Sequence, residues 1–155
     1  MEEGDLNEAG GPIRHAGLIA ARCGGFWRGV LIEGPAGAGK SDLALRALSE
    51  GFSLVADDRV ILWVSEGRLF GRAPDTLFGR LEVRGLEVIS LPAILLAEVA
   101  LVVRFGAPER IPRPRSVEIL GVSAPLIELD PRETSAPAKI RRALSHFDDA
   151  HKRRI

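Results

Sequence analysis

Three features of the sequence point to an α/β phosphate-loop domain built on a mixed sheet. Gly34-Pro35-Ala36-Gly37-Ala38-Gly39-Lys40-Ser41 satisfies G-x-x-x-x-G-K-[ST]. The apolar run Gly29–Glu33 leads into it as a strand, and Asp42–Leu48, with leucines at 43, 45 and 48, follows it as a helix. Gly24-Gly25 separates the strand from an earlier apolar run, Ile13–Ala21, as a hairpin turn does. The strand before the loop is therefore expected to have an antiparallel neighbour. In such a loop glycine permits backbone angles that a Cβ forbids. The N–H groups then face an anion, reinforced by the positive end of the helix. Lys40 is placed to reach the β- and γ-phosphates of a nucleotide, and the Ser41 hydroxyl to serve as a Mg²⁺ ligand.

The chain's 155 residues suffice for one domain with a real core. Its hydrophobic (46%) and charged (27%) fractions are those of an ordinary globular protein. A formal net charge of zero gives no overall attraction to nucleic acid or anionic lipid. Aromatics at 5% argue against a base-stacking surface. Cys23 is the only cysteine, so no internal disulfide is possible, and a cytoplasmic setting is expected. No apolar run is long enough to span a membrane.

In chain order, Met1–Pro12 is polar and Gly-rich and is expected to be a flexible leader. A strand over Ile13–Ala21, a turn over Arg22–Arg28 and a strand over Gly29–Glu33 precede the loop. After the helix, Glu50-Gly51 is a stop signal. Phe52–Ala56 is a strand ending in Asp57-Asp58. Arg59–Val64 and Arg68–Ala73 pair through a turn at Glu66-Gly67. Thr76–Gly79 is a short helical or irregular piece, and Leu81–Ile89 is part strand and part loop. Pro92–Leu96 is read as a short helix, and Val99–Phe105 as a buried strand. Pro108–Arg115 is extended. Strands over Ser116–Ile119 and Pro125–Leu129 lead to a last helix, Ala136–Phe147, and a basic tail over 148–155. The folded domain is thus expected over 13–147.

Phosphoryl transfer needs a positioned nucleotide, a metal on hard oxygen ligands, and a base for the attacking hydroxyl. Asp57 and Asp58, at a strand tip, can meet the phosphate loop across the strand ends. A carboxylate there can hold a metal-bound water or accept a proton; the plain alternative is a solvated Asp-Asp turn. Glu82 and Arg84, two apart on an extended segment, fit either a surface ion pair or a metal ligand beside a phosphate-facing cation. His15 is by default a hydrogen-bonded core or edge histidine. Arg110, Arg113 and Arg115 are by default solvated loop charges, although arginine in a mobile loop also pairs with phosphate.

Gly29-Val30-Leu31-Ile32-x-Gly-x-x-Gly-x-Gly-Lys-Ser, then Leu54-Val55-Ala56-Asp57-Asp58, then Leu81-Glu82-Val83-Arg84-Gly85-Leu86 together resemble the catalytic domain of HPr kinase/phosphorylase. The resemblance runs from about His15 to the last helix. It implies a phosphoenolpyruvate-carboxykinase-like phosphate-loop fold with mixed sheets and few helices. It also implies an ATP- and Mg²⁺-dependent protein serine kinase whose acceptor is HPr or an HPr-like phosphocarrier of the phosphotransferase system. A reverse phosphorolysis, cytoplasmic location and a homohexamer belong to the same implication.

By resemblance, Gly34 to Ser41 (through Pro35, Ala36, Gly37, Ala38, Gly39 and Lys40) bind the nucleotide. Asp57 is the base, supported by Asp58, while Ser41 and Glu82 are Mg²⁺ ligands. His15 and Arg110 resemble active-site residues, the arginine match being the weaker, with Arg113 and Arg115 as alternatives. Against the family's pattern, the chain is expected to be a short form lacking the N-terminal domain. Glu87 stands for a glycine of the signature, and Leu129-Asp130-Pro131-Arg132-Glu133-Thr134 stands for an arginine-richer loop linked to dephosphorylation. The expectation is a retained kinase direction and a weakened phosphorylase direction. A small-molecule kinase on the same scaffold and a non-catalytic nucleotide sensor are the alternatives.

Overall fold

The computed structural model describes residues 12–153. Four strands run in one direction and end at one edge of the main sheet, and this arrangement positions everything that follows. They are β3 (Phe26–Glu33), β4 (Ser53–Ala56), β9 (Ala97–Phe105) and β11 (Val122–Leu129). β9 is parallel to β3, with Arg104 opposite Glu33, and β11 is parallel to β9, with Leu129 opposite Phe105. On the other side β2 (Ala16–Cys23) is antiparallel to both β3 and β4. The sheet edge therefore reads β4–β2–β3–β9–β11. The segments beginning at Asp57, Gly34, Gly106 and Asp130 all leave from it.

The expected antiparallel neighbour of β3 is present. Gly24 and Gly25 turn the hairpin at φ 60° and 88°, the pair of positive angles a two-residue turn of matching twist requires. The turn is tighter than the sequence reading of Arg22–Arg28, because Cys23 pairs with Phe26 and the ladder continues to Ala16 opposite Glu33. β1 (Ile13–Arg14) joins β5 (Val60–Ser65), which pairs with β6 (Arg68–Arg72), which in turn meets the start of β9. β10 (Arg115–Ile119) is the hairpin partner of β11. β7 (Arg80–Val83) and β8 (Glu87–Ser90) form a separate two-stranded sheet.

Alternation along the central strands gives the sheet two buried faces. Ile19, Val30, Ile32, Leu101 and Val103 face one way. They pack against Leu43 and Ala44 of α1 (Lys40–Ala47) and Ile140 and Leu144 of α2 (Ala136–Arg153). Leu18, Leu31 and Val102 face the other way, into a second core with Val60, Leu62, Leu69 and Leu126 from the β5–β6 and β10–β11 hairpins. Strands buried on both faces carry near-continuous apolar runs, which is why Val99–Phe105 is legible as a strand.

Two readings need correction. Pro92–Leu96 is not helical: Ala93 makes a lone parallel bridge to Leu54, and the Ile94 N–H donates to the Leu54 carbonyl at 2.8 Å. Helix α2 does not stop at Phe147 but continues to Arg153, so most of the expected basic tail is helix. Asp148 is buried on it and accepts from Arg28 Nε at 3.1 Å, which ties the helix to β3. The expected leader lies outside the described residues except for Pro12, whose carbonyl accepts from the Leu62 N–H at 3.0 Å. Among the described residues no helix is long and apolar enough to cross a membrane.

Candidate active site at the carboxyl ends of the strands

β3 delivers Gly34, and the loop folds back on itself before α1 begins at Lys40. The Ala38 N–H donates to the Pro35 carbonyl at 3.1 Å, and the Leu43 N–H to the Gly39 carbonyl at 2.9 Å. Gly37 and Gly39 hold φ of 79° and 107°. A side chain added at either would find open space, so these positions require glycine for backbone angle and not for room. Gly34 is the opposite case: a Cβ there would lie 3.0 Å from the Phe105 ring. Lys40 Nζ arches over the loop and donates to the carbonyls of Gly34 (2.6 Å) and Pro35 (3.0 Å). The ammonium is thus held over the backbone of its own loop at the start of α1, where a phosphate-loop motif receives its anion.

Asp57 meets this loop from the side of β4. Its Oδ1 accepts from Ser41 Oγ at 2.7 Å and its Oδ2 from the Glu82 N–H at 3.0 Å. The carboxylate is 7% exposed. The Arg59 N–H donates back to the Asp57 carbonyl at 2.8 Å, around Asp58 at φ 71°. This is the tight three-residue turn of positive φ, a strained conformation that Asp tolerates better than most side chains. It points Asp57 inward and leaves Asp58 exposed, 3.7 Å from the Arg59 guanidinium. The Asp58 carbonyl accepts from the Ala16 N–H at 3.2 Å, which brings the His15 bend beside the acidic pair.

Of the residues expected to carry chemistry, the fold brings together Lys40, Ser41, Asp57 and the backbone of Glu82, with His15 and Asp58 adjacent in chain. The His15 side chain is exposed and makes no hydrogen bond with another described residue, contrary to its default reading. Glu82 is exposed on β7, opposite Val88 of β8, and Arg84 in the following turn makes no ion pair with it. Arg110 and Arg113 lie in exposed coil between β9 and β10, and Arg115 opens β10. None of the three makes a hydrogen bond or ion pair with another described residue, so the fold does not draw them to the loop.

Two features were not anticipated. Glu33, one residue before the loop, accepts from Arg14 Nη1 and, at 2.8 Å, from Arg104 Nε. Two guanidiniums on one carboxylate leave one positive charge beside the site. No local signal marks this, since the three residues come from different strands. The second is Arg46 of α1, which donates to Asp42 Oδ2 at 3.0 Å, to the Pro131 carbonyl, and to the Glu133 carbonyl at 3.2 Å. It lashes the loop after β11 to the helix after the phosphate loop. In that loop Arg132 donates to Asp130 through its side chain and its N–H. Those bonds hold the Asp130 carboxyl below its ordinary range, and the same pairing raises Arg132.

Ser41 Oγ, the Asp57 carboxylate and Glu82 are hard oxygen donors of the type Mg²⁺ takes. No cluster of three or more His, Cys, Asp or Glu side chains able to hold a metal occurs among the described residues. That composition fits an ion shared with a nucleotide's phosphates and does not fit a cage made by protein alone.

The fold and the site define a phosphate-loop domain whose acidic strand tip bonds directly to the loop serine. The model for the HPr Serine kinase C-terminal domain matches residues 23–99, about half of the chain. The HPr kinase/phosphorylase of Clostridium tetani is 47% identical over 66 residues, which are 43% of this chain and 22% of that protein. The HPr kinase/phosphorylase of Variovorax paradoxus is 46% identical over 67 residues, 43% of this chain and 21% of that one. The match thus spans about a fifth of the curated relatives' length. The HPr(Ser) kinase/phosphatase of Coxiella burnetii superposes with a TM-score of 0.71 at 26% identity, over 92% of this chain and 97% of that chain. Over residues 23–99 the chain is recognised as HPr kinase C-terminal domain, and its fold is the mixed-sheet phosphate-loop fold of the Coxiella burnetii protein. Sequence likeness is concentrated in the middle of the chain, narrower than the expected reach from His15 to the last helix; likeness of fold extends over nearly all of it.

Proposed function

We propose that this chain is an ATP- and Mg²⁺-dependent protein serine kinase whose acceptor is HPr or an HPr-like phosphocarrier. The observation that carries the reading is the hydrogen bond between Ser41 and Asp57. It puts a buried carboxylate, fixed at both oxygens, beside the place where the terminal phosphate of a bound nucleotide would lie. A carboxylate so held can keep a metal-bound water, which binding alone would use, or accept the proton of an attacking hydroxyl, which transfer requires. When bound, Mg²⁺ neutralises charge on the β- and γ-phosphates, and Ser41 and Glu82 are the side chains that would hold it.

Lys40 exchanges its two carbonyl partners for phosphate oxygens, an exchange of neutral for charge-assisted hydrogen bonds. Asp57 accepts the proton of the attacking serine hydroxyl, and His15 and Asp58 border that approach. Transfer proceeds in line, so positioning and charge neutralisation do most of the catalysis. Arg110 comes to the phosphate only if the 106–114 coil closes over it. The acid at Glu133 and the pairing of Arg132 with Asp130 leave few free cations for inorganic phosphate, so reverse phosphorolysis is weakened.

Incubation with γ-labelled ATP, Mg²⁺ and purified HPr tests the reading. Label on a serine of HPr is expected, and its absence with confirmed nucleotide binding would overturn the protein-kinase assignment.

A further inference from the structure

A cavity of about 330 Å³ opens between the end of β9 and the end of β11, lined by Phe105, Gly106, Ala107, Asp130, Pro131 and Arg132. We propose that it takes the nucleoside end of the nucleotide, with the ribose toward Asp130 and the base against the Arg132 guanidinium and the Phe105 ring. The proposal rests on the kinase reading above and assigns it a subsite.

Sheet order carries the argument. Asp57 reaches the phosphate loop from the β4 side, whereas the cavity lies on the β9–β11 side. A triphosphate strung along the loop, with its terminal phosphate at Ser41 and Asp57, must direct its other end toward β9. There, the segments after two parallel strands diverge, the position where open α/β sheets bind ligands. Neighbouring strands are about 4.8 Å apart, so the cavity begins one strand spacing from Gly34 and ends two away, within a nucleotide's reach.

The cavity is also physically joined to the loop. Phe105 packs closely on Gly34, where a Cβ would lie 3.0 Å from its ring, and Arg46 holds Pro131 and Glu133 to the helix that begins at Lys40. The volume sits at the low end of small-molecule sites. The chemistry fits a ribonucleoside: a carboxylate can accept from ribose hydroxyls, and a planar cation and an aromatic ring offer stacking faces. Asp130 retains acceptor capacity while paired with Arg132, because an ionised carboxylate has about four lone-pair sites.

Calorimetric titration with ATP and with inorganic tripolyphosphate, both with Mg²⁺, separates the subsite from the loop. The wild-type chain is expected to bind ATP about tenfold tighter than tripolyphosphate. Ala107→Trp, at an exposed position, fills the cavity and should lower ATP affinity to the tripolyphosphate level while leaving tripolyphosphate unchanged. Arg132→Ala should act in the same direction, and Lys40→Ala should weaken both ligands. Equal wild-type affinity for the two, or full ATP affinity in Ala107→Trp, would overturn the subsite and leave the kinase reading standing. Binding of neither ligand by wild type would overturn both.

Discussion

Ser41 and Asp57, sixteen residues apart in sequence, are joined by a 2.7 Å hydrogen bond from hydroxyl to carboxylate. That contact links the phosphate loop on β3 to the acidic tip of β4 across the intervening antiparallel strand β2. Because Oδ2 of the same carboxylate accepts from the Glu82 N–H, the bond also fixes the β7–β8 hairpin.

Asp57→Ala should cost stability as well as activity. It strips a partner from the buried-side N–H of Glu82 and from Ser41, and an unmet buried donor costs about 1–3 kcal/mol. Asp57→Asn keeps the shape and an acceptor oxygen, so its loss should be smaller. Urea denaturation of the three proteins checks the order wild type, Asn, Ala.

Lys40→Ala should leave stability nearly unchanged, because Nζ bonds only the carbonyls of its own loop. Affinity for Mg²⁺-ATP should fall by about tenfold or more, the worth of one charge-assisted contact to phosphate. Thermal unfolding and calorimetry on the same sample separate the two effects.

Arg28 supports the fold at a distance from the site. Its guanidinium pairs with Glu98 at 2.5 Å and Asp148 at 3.1 Å, with the arginine side chain only 13% exposed. Glu98 keeps Arg68 as a second partner. Asp148, with its side chain 5% exposed, loses this ion pair, so Arg28→Ala should cost at least about 1.5–3 kcal/mol, the range for hydrogen bonds to charged groups, and more as the cost of breaking a buried pair enters. Denaturant midpoints give the value, and nucleotide affinity should be unaffected.

The Asp130–Arg132 pair has a defined pH signature. Hydrogen bonds from the Arg132 side chain and then from its N–H lower the Asp130 pKa in the folded state. The pairing therefore supports the loop at pH above the unfolded aspartate value near 3.8, and that support is lost as pH falls through the lower folded value. From about pH 5 to 8 Asp130 should stay ionised. Carboxyl NMR titration should find its midpoint below 3.8 in wild type, rising toward that value in Arg132→Ala.

The phosphate loop, its strand and helix, and the Gly24-Gly25 hairpin were legible because each is encoded within a dozen residues, by glycine placement and apolar periodicity. The long buried strand β9 was legible for the same reason. Boundaries were less so: Phe26-Trp27-Arg28 looks like turn flank until Cys23 is seen to pair with Phe26. The leucine pattern at 91–96 imitates a helix that the Leu54–Ala93 bridge prevents. Of the candidate site, Lys40, Ser41 and Asp57 could be named from motif alone. The carboxylate of Glu33 between Arg14 and Arg104, and the lashing of Pro131 by Arg46, could not. Their partners are up to 87 residues away, and no local pattern brings such groups together.

Under the proposed kinase function, the Asp57 carboxylate, bonded to the loop serine, serves transfer and not nucleotide capture. Single-turnover transfer from γ-labelled ATP to HPr, comparing wild type with Asp57→Asn at matched nucleotide occupancy, tests it most directly. Saturable ATP binding is expected in both proteins, with a transfer rate at least about a hundredfold lower in the variant. Transfer at the wild-type rate by Asp57→Asn would contradict it.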